Sequence, residues 1–109
     1  MDLGCFSISL SVKDINASCV FYETLGFKIL DGTLERRWLV MQNAECKIGL
    51  FEGMFEGNML TFNPPDVRAV QVALKGAGYA MEKEADEDVG SAHATLKDPD
   101  GNVLMLDQY

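Results

Sequence analysis

The chain of 109 residues repeats itself. A shift of 52 positions superimposes candidate helix caps, helix ends and apolar positions, and it matches Asp14 with Asp66, Val20 with Val72 and Gly26 with Gly78. After the acidic stretch near residue 85 the shift becomes 56, which matches Ile48 with Leu104 and Leu50 with Leu106. Self-similarity of this kind indicates two copies of one supersecondary unit. We therefore expect two modules, about residues 4–53 and 57–108, within a single domain spanning residues 1–109.

The first module reads as β-α-β-β-β. Residues 6–12 alternate between apolar and polar side chains, which is typical of a half-buried strand. Asp14 is placed to cap a helix that runs to about Thr24, and Gly26 is placed to end it. Three further strands are expected at residues 27–30, 38–41 and 47–51, and Asp31-Gly32 is a hairpin-turn signal after the first of them.

The second module repeats this order, with strands expected at residues 59–62, 79–81, 92–96 and 103–106. Asp66 is expected to cap a helix over residues 67–75, and the sequence from Asp98 to Gly101 predicts a turn. The acidic run from Glu82 to Asp88 is interpreted as a solvated loop. The fold class is therefore α+β, and two such modules can form a curved, half-open barrel with the helices outside and a cleft inside.

Charge and cysteine content exclude several classes of function. The chain has 17 acidic and 9 basic residues, a net charge of −8, which disfavours nucleic acid and anionic membranes as partners. No apolar run approaches the roughly 18 residues of a membrane span, and the N-terminus lacks the pattern of a signal peptide. The three cysteines, Cys5, Cys19 and Cys46, form no CxxC pair, so neither a disulfide framework nor a zinc site is expected. These features predict a cytoplasmic protein with reduced thiols.

Two short motifs carry a resemblance to a known family. The segment Ser-Val-Lys-Asp at residues 11–14, followed by Phe-Tyr-Glu-Thr-Leu-Gly-Phe at 21–27, resembles the N-terminal signature of the vicinal oxygen chelate superfamily. The segment Asp-Pro-Asp-Gly-Asn at 98–102 resembles its C-terminal signature. This superfamily includes glyoxalase I, bleomycin-resistance proteins and extradiol dioxygenases. The resemblance implies the fold. We also expect a homodimer, because an incomplete eight-strand cleft leaves sheet edges and apolar surface that a two-fold partner could cover, and because members of the superfamily usually pair.

The resemblance also implies four inward strand positions that hold a divalent metal in the family. In this sequence those positions carry Ser7, Gly49, Met59 and Met105. Such metals prefer imidazole nitrogen or carboxylate oxygen, which none of these four residues supplies. We therefore expect no metal and no other cofactor, and we lean against enzymatic activity.

Strand alternation predicts which residues line the cleft. On the third strand either Trp38 and Val40 or Leu39 and Met41 point inward, and we favour Trp38 because aliphatic residues usually fill the helix side. A largely apolar wall with a few polar groups is typical of a small-molecule pocket. The expected ligand-binding residues are Ser7, Trp38, Gly49, Phe51, Met59, His93 and Met105.

Each of these residues has a plainer interpretation. The two methionines either contact a ligand or fill the former metal site as core, and Trp38 either stacks on a ligand or packs at a dimer interface. His93 is the only histidine, so any imidazole acid–base step must use it; the alternative is an exposed strand residue. Cys5 is interpreted as a buried, inert thiol, and Glu52 as a solvated linker residue.

The sequence thus predicts a metal-free protein that binds and sequesters a small hydrophobic or cationic molecule in the cleft between the modules, as bleomycin-resistance members do. The alternative is an enzyme of the superfamily, related to its lyases, isomerases or dioxygenases. Such an enzyme would need a non-standard site around His93, Lys47 and Asp107.

Overall fold

A computed structural model describes residues 1–86 and 90–108. In this part of the chain the order of elements is β1 (Cys5–Val12), α1 (Ile15–Thr24), β2 (Lys28–Thr33), β3 (Trp38–Asn43), β4 (Cys46–Glu52), β5 (Met59–Asn63), α2 (Val67–Gly76), β6 (Ala92–Lys97) and β7 (Val103–Gln108). The predicted α+β class is confirmed. Neither of the two helices within the described residues, each ten residues long, has the length or apolar character needed to cross a membrane.

The chain divides into two compact units: a first unit, Ser7–Asn58, and a second unit formed by Met1–Phe6 together with Met59–Tyr109. In the first unit the strand order is β2-β3-β4-β1, with β1 parallel to β4 and the other neighbours antiparallel. One sheet face packs on α1, where Leu39, Met41 and Leu50 are fully buried with Ile15. Strands β3 and β4 alternate as the sequence predicted because Leu39, Met41, Ile48 and Leu50, every second side chain, belong to this core.

In the second unit, β7 lies between β5 and β6, parallel to β5 and antiparallel to β6. Its core forms under α2 from Val67, Val70, Ala94, Leu96 and Leu106. The helix is strongly amphipathic, since Val67, Val70 and Leu74 recur at helical spacing on the face that packs on this core, whereas Val72 and Lys75 are exposed. The core therefore takes one helix stripe and alternate strand residues, as in the first unit.

Both helices begin with the same pair of caps. Asp14 Oδ1 accepts a hydrogen bond from Ala17 N at 3.2 Å, and Asp66 Oδ1 accepts one from Ala69 N at 3.0 Å. A second acceptor comes from the end of a strand, where Glu52 Oε2 bonds Ile15 N at 3.2 Å and Gln108 Oε1 bonds Val67 N at 2.8 Å. These acceptors satisfy amides that have no partner within the helix. The linker interpretation of Glu52 was therefore incomplete, because its carboxylate is part of the cap.

The strand registers reproduce the two shifts found in the sequence. In the first unit Ile8 pairs with Ile48 and Leu10 with Leu50. In the second unit Leu60 pairs with Leu104 and Phe62 with Leu106. Shifts of 52 and 56 positions convert the first set of pairs into the second, so the repeat is one of pairing geometry as well as of composition.

The strand predicted at residues 79–81 is wrong. Tyr79, just after Gly78, is exposed, and Met81 packs partly against the second unit's core. The chain pairs only at Lys83, which forms an isolated antiparallel bridge with Thr95. Three residues offer too few pairing positions to hold a strand when one of them, Met81, is drawn into the core.

The turn predicted at Asp31-Gly32 is also wrong. Strand β2 continues through both residues to Thr33, and the reversal follows at residues 34–37, where Arg37 N bonds Leu34 O at 3.1 Å. The β2–β3 register shifts between Ile29 and Asp31, and Gly32 has a φ of +84°. A glycine with positive φ serves a β-bulge as readily as a tight turn, so the dipeptide signal was ambiguous.

The acidic segment is more closely held than a solvated loop. Of the predicted loop from Glu82 to Asp88, residues 87 and 88 lie outside the described residues. In the rest, Ala85 is buried and its N–H donates to Gln71 Oε1 at 2.7 Å. Arg68 Nε donates to Asp86 O at 2.6 Å. The described part of this segment is therefore held against α2 by hydrogen bonds.

Candidate functional site

Each unit has an averted face, meaning the sheet face opposite the one that packs on its helix. In the first unit β3 pairs Trp38 with Phe51 and Val40 with Gly49, and paired residues share a face. Because Leu39 and Met41 are fully buried under α1, Trp38 and Val40 belong to the averted face. The open question about the third strand is therefore settled in favour of Trp38 on this face.

Gly49 and Phe51 form one structural feature of that face. A Cβ built on Gly49 would lie 2.6 Å from Phe51 Cε2 and 3.5 Å from Ser9 Oγ. The Phe51 ring therefore lies over the Gly49 backbone in the space that a side chain would need. The ring also contacts the Phe55 ring, with a centroid separation of 5.3 Å. Phe51 and Phe55, beside the half-buried Trp38, make this part of the face aromatic.

The serine row on β1 is largely committed to the fold. Ser11 Oγ donates to Phe55 O at 2.8 Å, and Ser11 N donates to Asn58 Oδ1 at 3.1 Å. Ser9 is buried, and Ser7 is half-buried. Ser11 therefore holds the chain that carries Phe55, and Ser7 remains the predicted polar contact on this strand.

The second unit's averted face is built from β5, β7 and β6. Register pairs place Thr61, Met105 and Thr95 in one row across the three strands, and Lys83 extends this row through its bridge to Thr95. A neighbouring row contains Met59, Val103 and Lys97, an exposed lysine. Met59 is buried and Met105 is half-buried. The predicted residues Met59 and Met105 thus share this face in adjacent rows.

His93 is the polar centre of the same face. It pairs across the strands with Asp107, and its Nε2 is in hydrogen-bond contact with Lys83 Nζ. Burial raises the pKa of the Asp107 carboxyl above its ordinary value, and a positive charge on His93 would act in the opposite direction. Asn63 Nδ2 donates to Asp107 O at 2.9 Å, which fixes the strand end at this point. The arrangement is able to bind charge and to hold or move a proton at the imidazole.

A family model decides which group of proteins this fold represents. The model of the glyoxalase/bleomycin resistance protein/dioxygenase superfamily matches residues 5–106. The chain belongs to this superfamily. The resemblance of its two short motifs is thereby confirmed, and so is the fold that the resemblance implied.

Solved structures with this fold carry diverse names. A superfamily member from Vibrio splendidus 12B01 is 16% identical, with a TM-score of 0.73 and coverage of 95% of this chain and 97% of that chain. An NAD-dependent benzaldehyde dehydrogenase from Legionella pneumophila is 12% identical, with a TM-score of 0.74 and coverage of 94% of this chain and 97% of that chain. A methylmalonyl-CoA epimerase from Mycobacterium tuberculosis is 16% identical, with a TM-score of 0.71 and coverage of 98% of this chain and 87% of that chain. At such identities the likeness shows the fold alone. No curated protein matches the sequence significantly.

The superfamily implies a divalent metal, but the residues at its four expected positions do not fit one. Ser7 offers a neutral hydroxyl, Met59 and Met105 offer thioethers, and Gly49 offers no side chain. The space beside Gly49 is taken by the Phe51 ring. Within residues 1–86 and 90–108, no three His, Cys, Asp or Glu side chains lie together as a metal-binding group. We therefore derive no metal-dependent step.

Sequence reasoning missed two residues of these faces. Lys83 was assigned to a solvated loop, although the shift of 52 matches it with Asp31, which pairs on β3 with Val40. That match was the signal for its bridge to Thr95. Phe55 gave no signal, because its contact with Phe51 depends on the path of the segment after β4.

The cysteine predictions need one correction. Cys5 is exposed, whereas we expected it to be buried, because it begins β1 outside the core. Cys46 is also exposed, and Cys19 is buried under the first unit's sheet. Burial, together with a contact to Glu23 at 3.5 Å, raises the pKa of the Cys19 thiol. Cys19 is thus a packing residue and a poor nucleophile.

Proposed function

We propose that this chain binds a small, partly apolar molecule on its averted faces and does so without a metal. The observation that carries the proposal is the Phe51 ring over Gly49, where the superfamily places a metal ligand. At that position this chain has an aromatic ring beside a glycine, and no side chain that could hold a metal. A flat apolar ligand on Trp38 and Phe51 would gain about 25 cal/mol for each Å² of apolar surface removed from water.

Methionines support the same proposal in the second unit. Met105 is half-buried and pairs with the half-buried Thr95, so it offers an adaptable apolar surface beside a hydroxyl. His93 is proposed as a further polar contact on this face, and Ser7 as a polar contact on the first unit's face. A mixed surface of this kind suits a ligand with an apolar body and few polar groups.

The test uses the single tryptophan as its reporter. Trp38 lies on the proposed surface, so a neutral apolar probe such as N-phenyl-1-naphthylamine should quench its fluorescence saturably, near one probe per chain. Excess EDTA should leave the titration unchanged. Quenching that never saturates, or that EDTA abolishes, would contradict the proposal.

Glycine substitutions provide the matched variants. A side chain at residue 49 must displace the Phe51 ring, so Gly49→Trp should weaken probe binding about tenfold or more and Gly49→Ala should weaken it less. Gly76→Ala is the control, because a Cβ there meets nothing within 4 Å. Equal affinity in Gly49→Trp and Gly76→Ala would show that the probe binds elsewhere.

A second candidate function is acid–base catalysis by a member of the superfamily with a non-standard site. It is favoured by His93 lying opposite Asp107, whose carboxyl can orient or stabilise a protonated imidazole. Methylmalonyl-CoA is a suitable first substrate, because a structural neighbour is named as its epimerase. Deuterium incorporation from D₂O, lost in His93→Gln, would support an enzyme. Incorporation that is absent, or equal in the variant, would exclude this reaction at His93.

We also propose that the chain forms a homodimer. The first unit exposes Val20, Phe21 and Leu25, whereas the repeat positions of Phe21 and Leu25 carry Ala73 and Ala77. An uncharged apolar surface is self-complementary, as a two-fold interface requires. Light scattering should give twice the mass of one chain, and Phe21→Ser should lower it more than Val72→Ser. A single-chain mass at micromolar concentration would contradict a dimer.

A further inference from the structure

Lys83 has an unusual electrostatic environment on the second unit's averted face. In the part of the chain that the structure describes, two ion pairs lie around it, Lys75–Glu84 and Lys97–Glu82. The carboxylates on either side of Lys83 in the sequence are thus held by other lysines. The side chain of Lys83 instead contacts the imidazole of His93. Among residues 1–86 and 90–108, its positive charge has no direct carboxylate contact of the kind that the two neighbouring lysines have.

The contact with His93 fixes the roles of both groups. A lysine ammonium donates hydrogen bonds and accepts none, so Nε2 of His93 must be the acceptor and the ring proton must reside on Nδ1. One of the three N–H groups of Lys83 is used in this bond. The main chain of Lys83 is held by its bridge to Thr95, and hydrogen bonds from the other two N–H groups to a ligand form part of the proposal below.

We propose that Lys83 forms a subsite for an oxyanion, the carboxylate or phosphate group of a small ligand, with His93 as its positioning residue. This inference rests on the proposed small-molecule function and specifies a chemical class for that ligand. An ammonium binds either oxyanion through charge-assisted hydrogen bonds. The apolar body of the ligand would lie on Met105, one strand beyond Thr95 in the row that begins at Lys83.

The net charge of −8 does not oppose such a site at short range. At physiological ionic strength, exposed charges are screened beyond about 8 Å, so the groups adjoining Lys83 determine its preference. Among the described residues these groups include the His93 ring, the hydroxyl residue Thr95, and the Lys97–Glu82 and Lys75–Glu84 pairs, each of which is neutral overall. Asp107 lies beyond His93 on the next strand. Within the part of the chain that the structure describes, the local pattern thus supports an anionic ligand, whereas the net charge alone favoured a cationic one.

Four probes with one aromatic ring separate these possibilities. Binding of benzoate, phenyl phosphate, benzamide and benzylammonium would be followed by ¹H–¹⁵N NMR titration of the full chain. We expect both oxyanions to shift the amides of Lys83, His93 and Thr95 saturably. Both should bind about tenfold more tightly than benzamide, a difference of roughly 1.4 kcal/mol. Similar affinities for benzoate and phenyl phosphate would support a subsite that recognises negative charge and does not distinguish a carboxylate from a phosphate.

Matched lysine variants locate the effect. Lys83→Gln should remove the preference for oxyanions, and Lys83→Arg should retain most of it. Lys75→Gln is the control, because Lys75 is an exposed lysine already paired with Glu84. At residue 93, His93→Gln keeps a hydrogen-bond acceptor and should retain the preference, whereas His93→Phe should lose part of it.

The outcomes distinguish the subsite from the underlying function. If benzamide binds this face but the oxyanions bind no more tightly, the subsite is wrong and small-molecule binding stands. A preference for benzylammonium, or equal losses in Lys83→Gln and Lys75→Gln, also overturns the subsite. If no probe shifts any resonance of the averted faces, and N-phenyl-1-naphthylamine does not quench Trp38, the proposed function itself is overturned.

Discussion

The two repeats differ sharply on one side of their sheets and scarcely on the other. On the helix side, Ile8 and Ile48 of the first unit correspond to Leu60 and Leu104 of the second, in the same register. On the averted side, the shift of 56 matches Phe51 with Asp107, and their partners on the neighbouring strand are Trp38 in the first unit and His93 in the second. The two units therefore share the same apolar packing on the helix side of their sheets, whereas their averted faces carry side chains of different chemistry.

This difference separates what the fold requires from what a function requires. A buried side chain touches many neighbours, so the helix side accepts few changes of volume or polarity. The averted side has no helix against it within its own unit, and its residues are set by what they contact there. Asp31 and Lys83 illustrate this freedom, because they occupy equivalent bridge positions with opposite charges.

The largest expected effect comes from the helix side. Leu50→Ala and Leu106→Ala remove repeat-equivalent side chains that are almost fully buried, so each should lower the free energy of unfolding by about 3 kcal/mol. Phe51→Ala, one residue away on the averted face, should cost about half as much because the ring is only half-buried. Urea unfolding measures all three. A larger cost for Phe51→Ala would show that the averted face supplies core stability.

Local signals in the sequence were sufficient to predict the two helices and the register of the repeat. Asp14 and Asp66 cap their helices where expected, since a cap is decided by atoms within three residues of it. The signal at Asp31-Gly32 was misread, because the same glycine conformation suits a bulge and a turn. The bridge from Lys83 to Thr95 joins distant segments, and no local pattern encodes such a pairing.

The glycines that follow the helices should sharpen the comparison. Gly26 and Gly78 have φ values of +99° and +94°, so an alanine at either position should cost roughly 1–2 kcal/mol of backbone strain. A Cβ on Gly26 would also lie 3.0 Å from Asn43 Nδ2, which donates to Leu25 O, whereas a Cβ on Gly78 meets nothing within 4 Å. We therefore expect Gly26→Ala to lose about 1 kcal/mol more than Gly78→Ala in thermal unfolding. Equal losses would mean that the Asn43 contact contributes nothing.

The candidate site was harder to predict than the fold. Strand alternation placed Trp38, Phe51 and Met105 on the correct faces, because the period of a strand is fixed by its geometry. It did not predict that the Phe51 ring would cover Gly49, since that contact depends on the side-chain rotamer and on Phe55. The chemistry of a site depends on such contacts between side chains, and the alternation of residues along a strand does not predict them.

The helix caps should respond equally in the two units. Asp14→Ala and Asp66→Ala each remove one acceptor from the first turn and should each cost about 1 kcal/mol in urea unfolding. Asp14→Asn and Asp66→Asn are the controls, because asparagine keeps a capping oxygen and should cost much less. A clear difference between the two alanine variants would show that the repeat is not energetically equivalent at its helix starts.

The smallest effects concern two aspartates at opposite ends of the hairpin that contains β7. Burial raises the pKa of Asp107 above the ordinary 3.8, so its protonated form favours folding and that stability is lost as the pH rises through the folded-state pKa. Hydrogen bonds from Asn102 lower the pKa of Asp98, so its contribution is present above the ordinary pKa and is lost as the pH falls.

Isosteric variants should therefore show opposite pH trends. Relative to the native chain, Asp107→Asn should gain stability between pH 3 and pH 7, by less than about 1 kcal/mol because the group is only half-buried. Asp98→Asn should lose stability over the same range, since the neutral amide cannot replace the carboxylate that accepts from Asn102. Urea unfolding at the two pH values measures both trends. Parallel trends in the two variants would mean that neither local environment governs its carboxyl, and that the contrast between the averted face and the turn is not electrostatic.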